Sequence, residues 1–293
     1  GQEGDKVNVS YSTLTLLSFY EWLDHYLLQN GQMYMNSVSR LYQQTDSRLG
    51  AGYTAYSSPF RSFVWDSGVS GAQIFNSGSG YTAGGIPLSL SRGQSGMMTD
   101  FENGRAILPA GTLPANVVIS GSYSFKDFNL YFANQGAESL VFSNKYYLNS
   151  RFARPITGIP PPYNFVTPCI FISLVNTRTE QRALGGLYAT KQELRLNVFG
   201  ETLGQVENVH SLLAQAQDLT FLQFSRDLWP LNPMGDYKSG YNYTALSAQY
   251  QPLGNNYSIT KVRSQKISDS VKVDESVFLG EVSITIDQSR TIR

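Results

Sequence analysis

A long helix near the start of the chain is the feature that most constrains the fold. Between residues 12 and 30, apolar side chains recur at spacings of four, three and four residues. They are Leu16, Tyr20, Leu23 and Leu27. This spacing places them on one face of an α-helix, and Gly31 follows as a C-terminal stop. The sequence therefore predicts an amphipathic helix whose apolar face packs in the core or against another subunit.

A second amphipathic helix is predicted over residues 202–217. Thr202 and Gln205 have the spacing of a capping box, in which each residue binds a backbone amide that the first helical turn leaves unpaired. The apolar residues that follow have helical spacing. They are Leu203, Val206, Val209, Leu213 and Ala216. The preceding segment, residues 191–199, alternates polar and apolar residues and predicts a strand with one buried face.

Residues 61–135 have the pattern of an antiparallel β module, because short β-type runs alternate with turn clusters. The longest run, residues 116–132, shows the period-two alternation of half-buried strands, with a slip near Lys126 and Asp127 that indicates a bend or bulge. Asn103 and Gly104 form a pair typical of hairpin turns. Shorter β-type runs are predicted at residues 61–66, 73–75 and 105–108.

Other segments carry weaker signals. Residues 33–59 are predicted to be extended or loop-like, and residues 237–257 show no helical period. Residues 180–187 are predicted to form a connection. Strands are expected at residues 138–142, 169–175, 257–263 and 277–287. The strand at 169–175 is expected to be central in a sheet, and those at 257–263 and 277–287 to pair with each other.

The composition excludes some classes of protein. The chain has 293 residues, with 22 Lys and Arg against 22 Asp and Glu, so it lacks the positive excess of a protein that binds nucleic acid by its net field. It is 13% aromatic, which argues against acidic disorder. No window approaches about 18 consecutive apolar residues, and the polar residues 1–6 lack the pattern of an export signal. A soluble protein without a membrane span is therefore expected.

The sequence assigns no catalytic, cofactor-binding or metal-binding residue. Cys169 is the single cysteine and lies in an apolar run, which predicts a buried thiol. His25 and His210 are the two histidines, both in helical segments without a second ligand nearby, so zinc and a Ser-His-Asp triad are poorly supported. Glu193, Glu201 and Glu207 are interpreted as solvated or helix-terminal charges.

Two further segments have a functional and a structural interpretation. Residues 78–85 are rich in glycine, but no Lys-Ser/Thr pair or helix start follows, so a β loop is favoured over a phosphate cradle. Residues 100–104 hold two carboxylates and an asparagine that could contact Ca²⁺. They supply fewer oxygens than calcium requires, so a hairpin turn is favoured.

The order of elements and two sequence segments resemble a known family. The segments Thr99–Leu108 and Ile119–Asn129 are similar to parts of phage structural proteins, and the helix–sheet–helix order resembles the tail-terminator and neck-connector family of tailed bacteriophages. This resemblance implies an α+β fold with a mixed or antiparallel sheet and two amphipathic helices on one face. It divides the chain into a terminator-like domain, residues 1–60 and 136–293, and an inserted β-rich module, residues 61–135.

The resemblance also implies a function. The protein would be a non-enzymatic virion component that forms a hexameric or dodecameric homo-oligomeric ring at the neck or tail terminus and joins head to tail. Its partners would be adjacent neck, tail-tube or sheath proteins. It would have no cofactor, no membrane contact and no specific nucleic-acid binding beyond lining a DNA channel. It would be located in the virion after assembly in the cytoplasm of the bacterial host.

Two alternatives remain open at this point. The first is a carbohydrate- or receptor-binding tail, baseplate or fibre module, because aromatic residues accumulate in the β-rich segment. Those residues are Trp65, Tyr81, Phe125 and Tyr131. The second is a glycan-cleaving enzyme that uses a pair of carboxylates remote from each other in the sequence.

Overall fold

The computed structural model describes residues 3–44, 46, 49–50, 52–81, 87–92, 96–114, 117–133, 146–148, 165–181, 188–225, 228, 230–231, 237–238, 240–254, 256–264, 272–274 and 277–290. These residues form three α-helices, a short 3-10 helix (Gln251–Leu253) and sixteen strands. The helices are α1 (Glu3–Gln29), α2 (Leu203–Gln215) and α3 (Tyr243–Tyr250).

Eight strands come from the first half of the chain. They are β1 (Tyr34–Gln44), β2 (Tyr53–Ser57), β3 (Ser77–Tyr81), β4 (Pro87–Ser91), β5 (Met98–Asp100), β6 (Arg105–Pro109), β7 (Val118–Lys126) and β8 (Asn129–Phe132). Seven of them form one antiparallel sheet in the order β4-β3-β7-β1-β2-β6-β5. Strand β1 joins its two parts, because residues 34–41 pair with β7 and residues 42–44 pair with β2.

Eight strands come from the second half of the chain. They are β9 (Tyr146–Leu148), β10 (Phe165–Thr167), β11 (Cys169–Gln181), β12 (Tyr188–Gly200), β13 (Thr220–Leu222), β14 (Asn256–Ser264), β15 (Lys272–Asp274) and β16 (Val277–Arg290). The second sheet has the order β13-β14-β16-β12-β11-β8, with β15 also paired to β16. Strand β8 runs parallel to β11, and β9 and β10 form a separate parallel pair.

The expected α+β fold class is wrong. The protein is mostly β, with 51% of the described residues in strands or bridges and two curled sheets, and it is not a single mixed or antiparallel sheet with two amphipathic helices on one face. The helix and strand patterns were local signals. They could not show that residues 34–57 supply two strands to the first sheet, which makes the β component dominant.

The C-terminal half of helix α1 lies in the interior. Between residues 17 and 28, all side chains except Tyr20 and His25 are buried. The rings of Phe19 and Trp22 lie 5.8 and 5.3 Å from that of Phe221 on β13, and Tyr26 Oη donates to the Leu212 carbonyl of α2 at 2.9 Å. Between residues 17 and 28 the helix is therefore covered on nearly all sides, not only along one apolar stripe.

Both sheets and α1 share one continuous hydrophobic core. Strand β1 lies between β7 and β2, so the boundary expected after residue 60 falls within one sheet. The chain passes from the first sheet to the second between β7 and β8, at Asp127 and Phe128. This is the place where the slip in alternation predicted a bend.

Several local predictions are confirmed. The capping box of α2 is present, with Thr202 Oγ1 accepting from Gln205 N at 3.3 Å and Gln205 Oε1 accepting from Thr202 N at 3.2 Å. The Asn103–Gly104 turn joins β5 to β6, and Gly104 has a φ of 63°, which favours glycine. Strands β11, β12, β14 and β16 form where strands were expected, and β14 pairs with β16.

Other local predictions are wrong. Residues 61–66 and 73–75 form no strand, although Phe63 makes an isolated bridge to Phe125. Residues 243–250 form α3, where no helical period was found, because Asn242 caps the helix by accepting from Ala245 N at 2.8 Å. Strand β11 extends to Gln181, so the expected connection at 180–187 starts too early. The strand expected at 138–142 lies outside the described residues.

Candidate functional site

The interior contains a cluster of charged residues centred on α1. Glu21 and Asp24 lie one turn apart on the helix and are 2% and 1% exposed. A buried carboxylate is unfavourable unless other groups compensate its lost hydration. The contacts around these two residues therefore show how the fold accommodates the helix.

Asp24 is compensated by Lys126, the last residue of β7. Lys126 Nζ donates to Asp24 Oδ1, and both side chains are almost completely buried. Burial lowers the pKa of Lys126 to about 8, although the carboxylates of Asp24 and Glu21 act in the opposite direction. Burial also raises the pKa of Asp24, and the ammonium of Lys126 opposes this shift. The ion pair links the helix to the first sheet.

Glu21 is held by two tyrosines from the segment that precedes α3. Tyr237 Oη donates to Glu21 Oε1 at 3.0 Å, and Tyr241 Oη donates to Glu21 Oε2 at 3.0 Å. Burial raises the pKa of Glu21 to about 8, with a further contribution from the charge of Asp24. Each carboxylate oxygen thus has a hydroxyl donor, which fixes the tyrosines against α1.

Asp66 connects the same helix to the start of α3. Its Oδ2 lies 2.6 Å from His25 Nδ1, and its Oδ1 accepts from the backbone amides of Gly68 at 2.8 Å and Tyr243 at 2.9 Å. The His25 ring stacks on Tyr243 with centroids 4.8 Å apart. These contacts hold together three segments that are distant in sequence.

A cleft of about 200 Å³ opens beside this cluster, where the two sheets, α1 and the segment before α3 meet. Five aromatic rings line it together with leucine, amide, hydroxyl and charged side chains. The lining residues are Tyr20, Ser62, Trp65, Glu102, Lys126, Phe128, Asn129, Leu130, Tyr131, Leu231 and Tyr237. A concave, mostly apolar surface with a few converging polar groups is typical of a ligand site.

Trp65 forms a central part of the cleft wall. Its ring lies 4.4 Å from that of Tyr237 at an interplanar angle of 14°, and Lys126 Nζ lies 2.8 Å from its centroid. A ring and an ammonium at these distances cannot occupy the same face, so they cover opposite faces of the indole. Trp65 thus supports the wall, and neither of its faces is open to a ligand.

Glu102 lies at the mouth of the cleft, in the turn between β5 and β6. Glu102 is exposed to solvent. Partial burial of its carboxyl group raises its pKa, and the negative charge of Asp100 adds to this shift. Its carboxylate is therefore available to accept hydrogen bonds from a molecule in the cleft.

The sequence indicated four aromatic residues as a possible binding surface, and the structure places two of them in the same cleft. Trp65 and Tyr131 both line the cleft. Phe125 is 5% exposed and stacks on Phe60 at 4.1 Å, so it belongs to the core. Tyr81 ends β3, a strand that pairs with β4 and β7 away from the second sheet.

The other residues considered in the sequence have structural surroundings. Asp100 accepts from the Asn103 side chain at 3.0 Å and from Arg105 Nε at 2.7 Å, which supports the hairpin interpretation. Cys169 is buried, and burial raises the pKa of its thiol. His210 Nδ1 lies 2.5 Å from Ser264 Oγ, and burial lowers the pKa of its imidazole.

The remaining candidates are placed as follows. Residues 78–81 belong to β3, and residues 82–86 lie outside the described part of the chain. Glu193 and Glu201 are half-buried and Glu207 is exposed, with Thr167 Oγ1 donating to Glu201 Oε1 at 3.3 Å. Within the described ranges, no three His, Cys, Asp or Glu side chains are grouped so that they could hold a metal ion.

The sequence interpretation missed Glu21 and Asp24 as interior residues. A signal was present, because apolar residues between positions 16 and 28 surround the helix on almost every side. A helix that is apolar all round is buried all round, so any acidic residue within it must also be buried. Their partners Lys126, Tyr237 and Tyr241 carry no such signal, since the contacts span more than 100 residues.

No protein-family model matches this chain, and no curated protein matches it. In the part of the chain that the structure describes, every helix is too short or too polar to cross a membrane.

Proposed function

We propose that this protein is a non-enzymatic structural subunit of a tailed-phage particle that assembles into a homo-oligomeric ring at the neck or tail terminus. The phage assignment is supported by the similarity of the segments Thr99–Leu108 and Ile119–Asn129 and by the low charge of the chain. This assignment does not depend on a terminator-like fold, because the protein is mostly β. The proposal of assembly is supported by one surface of the molecule, the outward face of the first sheet.

This outward face carries mostly small, uncharged side chains, with Arg40 among them. Ser79 on β3 pairs with Ser89 on β4 and with Ser120 on β7, which in turn pairs with Arg40 on β1. On the same face of β1, Val38 is 73% exposed and Tyr42 is 42% exposed.

Such a surface is suited to contact with another protein. Exposed apolar residues among uncharged polar ones resemble the composition of subunit interfaces, and serine loses little side-chain entropy when it becomes buried. A head-to-tail contact between identical subunits closes into a ring when its rotation is a whole fraction of a turn. The near-zero net charge keeps repulsion between stacked copies low.

In this proposal the ring is a hexamer or dodecamer that joins head and tail in the virion, after assembly in the bacterial cytoplasm. Adjacent neck, tail-tube or sheath proteins contact it along the ring axis. Nucleic acid meets it only as the genome passes through the central channel, without sequence-specific contacts. The subunit needs neither a cofactor nor a membrane.

Native mass spectrometry and negative-stain imaging of the purified protein test the assembly. The wild type is expected to form closed rings, and Val38→Glu to shift them towards monomers by placing a charge in the contact. Val175→Glu is the matched control, because Val175 is 56% exposed on β11 of the other sheet. A wild type that stays monomeric at high concentration with tail protein present would overturn the proposal.

The phage assignment has a separate test. The genes beside this one are expected to encode portal, capsid and tail proteins, because virion genes are usually grouped. A neighbourhood of metabolic or regulatory genes would contradict the assignment whatever the oligomeric state of the protein.

A further inference from the structure

We propose that the cleft beside the interior charge cluster binds a single sugar ring, either a free monosaccharide or the terminal residue of a neutral glycan. This inference goes beyond the proposed assembly and does not depend on it. It concerns a different surface, formed by α1, the Trp65 segment, the β5–β6 turn and the junction of β7 with β8.

The size of the cleft limits the ligand. Its volume of about 200 Å³ is below the range of roughly 300–1,000 Å³ usual for drug-sized ligands. One sugar ring is therefore a better match than an extended oligosaccharide, whose other residues would remain outside.

Two tyrosines supply aromatic surface for the apolar C–H face of a sugar. Tyr20 and Tyr131 are partly exposed and both line the cleft. The Tyr20 ring lies 5.0 Å from that of Phe132, the residue that follows Tyr131 in β8, and the Tyr131 ring lies 5.4 Å from that of Phe171. The electron-rich face of an aromatic ring attracts the weakly positive C–H groups of a sugar, and each tyrosine also carries a hydroxyl that can form hydrogen bonds.

The polar groups of the wall are held in position by the protein itself. Asn129 Nδ2 donates to the Pro168 carbonyl at 3.2 Å, and Asn129 Oδ1 accepts from Ser62 Oγ. Lys126 is fixed by Asp24, and Tyr237 by Glu21. A ligand would meet groups that need little reordering, which lowers the entropic cost of binding.

The charges of the wall favour a neutral ligand with hydroxyl groups. An anion would meet the carboxylate of Glu102, which is exposed in the wall. A cation would meet the ammonium of Lys126 in the same wall. A sugar hydroxyl can donate to Glu102 and accept from another group, so it can satisfy both kinds of partner.

Saturation-transfer NMR with free glucose, galactose, mannose, N-acetylglucosamine and rhamnose tests the proposal on the full chain. At least one sugar is expected to receive saturation from the wild type, with a Kd in about the millimolar range. Binding should also change the fluorescence of Trp65 in the wall. Glu102→Gln is expected to weaken binding about tenfold, because it replaces a charged acceptor by a neutral one.

Tyr131→Leu is a second variant, which removes an aromatic ring without leaving a large void. It is also expected to weaken binding about tenfold. Glu207→Gln, on the exposed face of α2, is the matched control and should leave the Kd unchanged. Circular dichroism establishes that each variant is folded.

Three results would overturn the proposal. The first is that none of the five sugars binds the wild type. The second is that a sugar binds equally well to folded Glu102→Gln and Tyr131→Leu, which would place it elsewhere. The third is that putrescine or acetate binds in the cleft while every sugar fails, which would assign the cleft to a charged ligand.

Discussion

Lys126 and Asp24 form an ion pair inside the protein although 102 residues separate them in the chain. The Lys126 side chain is 3% exposed and that of Asp24 is 2% exposed. The pair joins the end of β7 to the middle of α1 and lies beside Trp65, whose ring the ammonium covers. It therefore connects the interior helix, the first sheet and the candidate ligand cleft.

Breaking this ion pair should destabilise the fold strongly. Lys126→Met leaves Asp24 as a buried carboxylate without its cation, and the expected loss is about 3–5 kcal/mol in the free energy of unfolding, measured with urea. Lys191→Met is the control, because Lys191 pairs with Glu180 at 2.7 Å on the surface, where a loss of about 1 kcal/mol or less is expected. Equal losses in the two variants would contradict this role.

The double variant Asp24→Asn/Lys126→Met separates the effect of charge from that of packing. It removes both charges, so it is expected to be more stable than Lys126→Met alone. If the double variant loses as much stability as the sum of the two single variants, the two side chains are not coupled.

Stability should change with pH in a characteristic way. The pKa of Glu21 is raised from 4.5 to about 8, so the folded state binds its proton more tightly, and stability falls as pH rises from about 4.5 to 8. The raised pKa values of Asp24 and Glu102 act in the same direction. The pKa of Lys126 is lowered from 10.5 to about 8, so its contribution increases stability between pH 8 and 10.5.

Because these two slopes are opposite, the combined contribution of Glu21 and Lys126 to the free energy of unfolding should have a minimum near pH 8. Urea unfolding at a series of pH values measures it, and Glu21→Gln should reduce the decline between pH 4.5 and 8, because glutamine does not titrate. A decline of unchanged slope in Glu21→Gln would show that other groups cause it.

Gly121→Ala should destabilise the first sheet. A Cβ at this position would collide with the ring of Phe75, which is fully buried against the sheet. The expected loss is about 1–3 kcal/mol, since the ring must shift within a packed core. Ser122→Ala, at the exposed neighbouring position, should change the unfolding free energy by less than about 0.5 kcal/mol. If Gly121→Ala unfolded at the same urea concentration as the wild type and Ser122→Ala, the predicted clash with Phe75 would be contradicted.

Thr202→Ala should weaken the start of α2. It removes the oxygen that accepts from Gln205 N, and such caps contribute about 1 kcal/mol. Thr202→Ser keeps the oxygen and should retain most of the stability. Thermal unfolding followed by circular dichroism distinguishes the two variants, and identical melting temperatures for them would argue against the cap.

Local features of the fold could be predicted because their causes are local. The capping box at Thr202 depends on residues three positions apart, and the hairpin at Gly104 depends on a positive φ that glycine tolerates. The bend after Lys126 was visible because alternation changes phase where a strand leaves its sheet. Residues 33–59 were predicted only as extended or loop-like, and strands β1 and β2 could not be distinguished from loop, since their stability comes from pairing with β7 and β6.

The cleft could be anticipated only in part. Trp65 and Tyr131 were marked because they lie in an aromatic-rich segment, but Tyr20, Glu102 and Tyr237 come from three other segments. Their approach depends on how the sheets pack around α1, which has no counterpart in spacing or composition.

The helices with clear apolar spacing, the alternating strands and the burial of Cys169 could be read from the sequence alone, because residues close together along the chain indicate these features. The mostly β fold and the enclosure of residues 17–28 of α1 depend on the tertiary structure. The meeting of Glu21, Asp24 and Lys126 in the interior depends on it as well. The physical reason is that strand pairing and the burial of charge depend on partners far away in the chain, whose positions are set by the packing of the whole core.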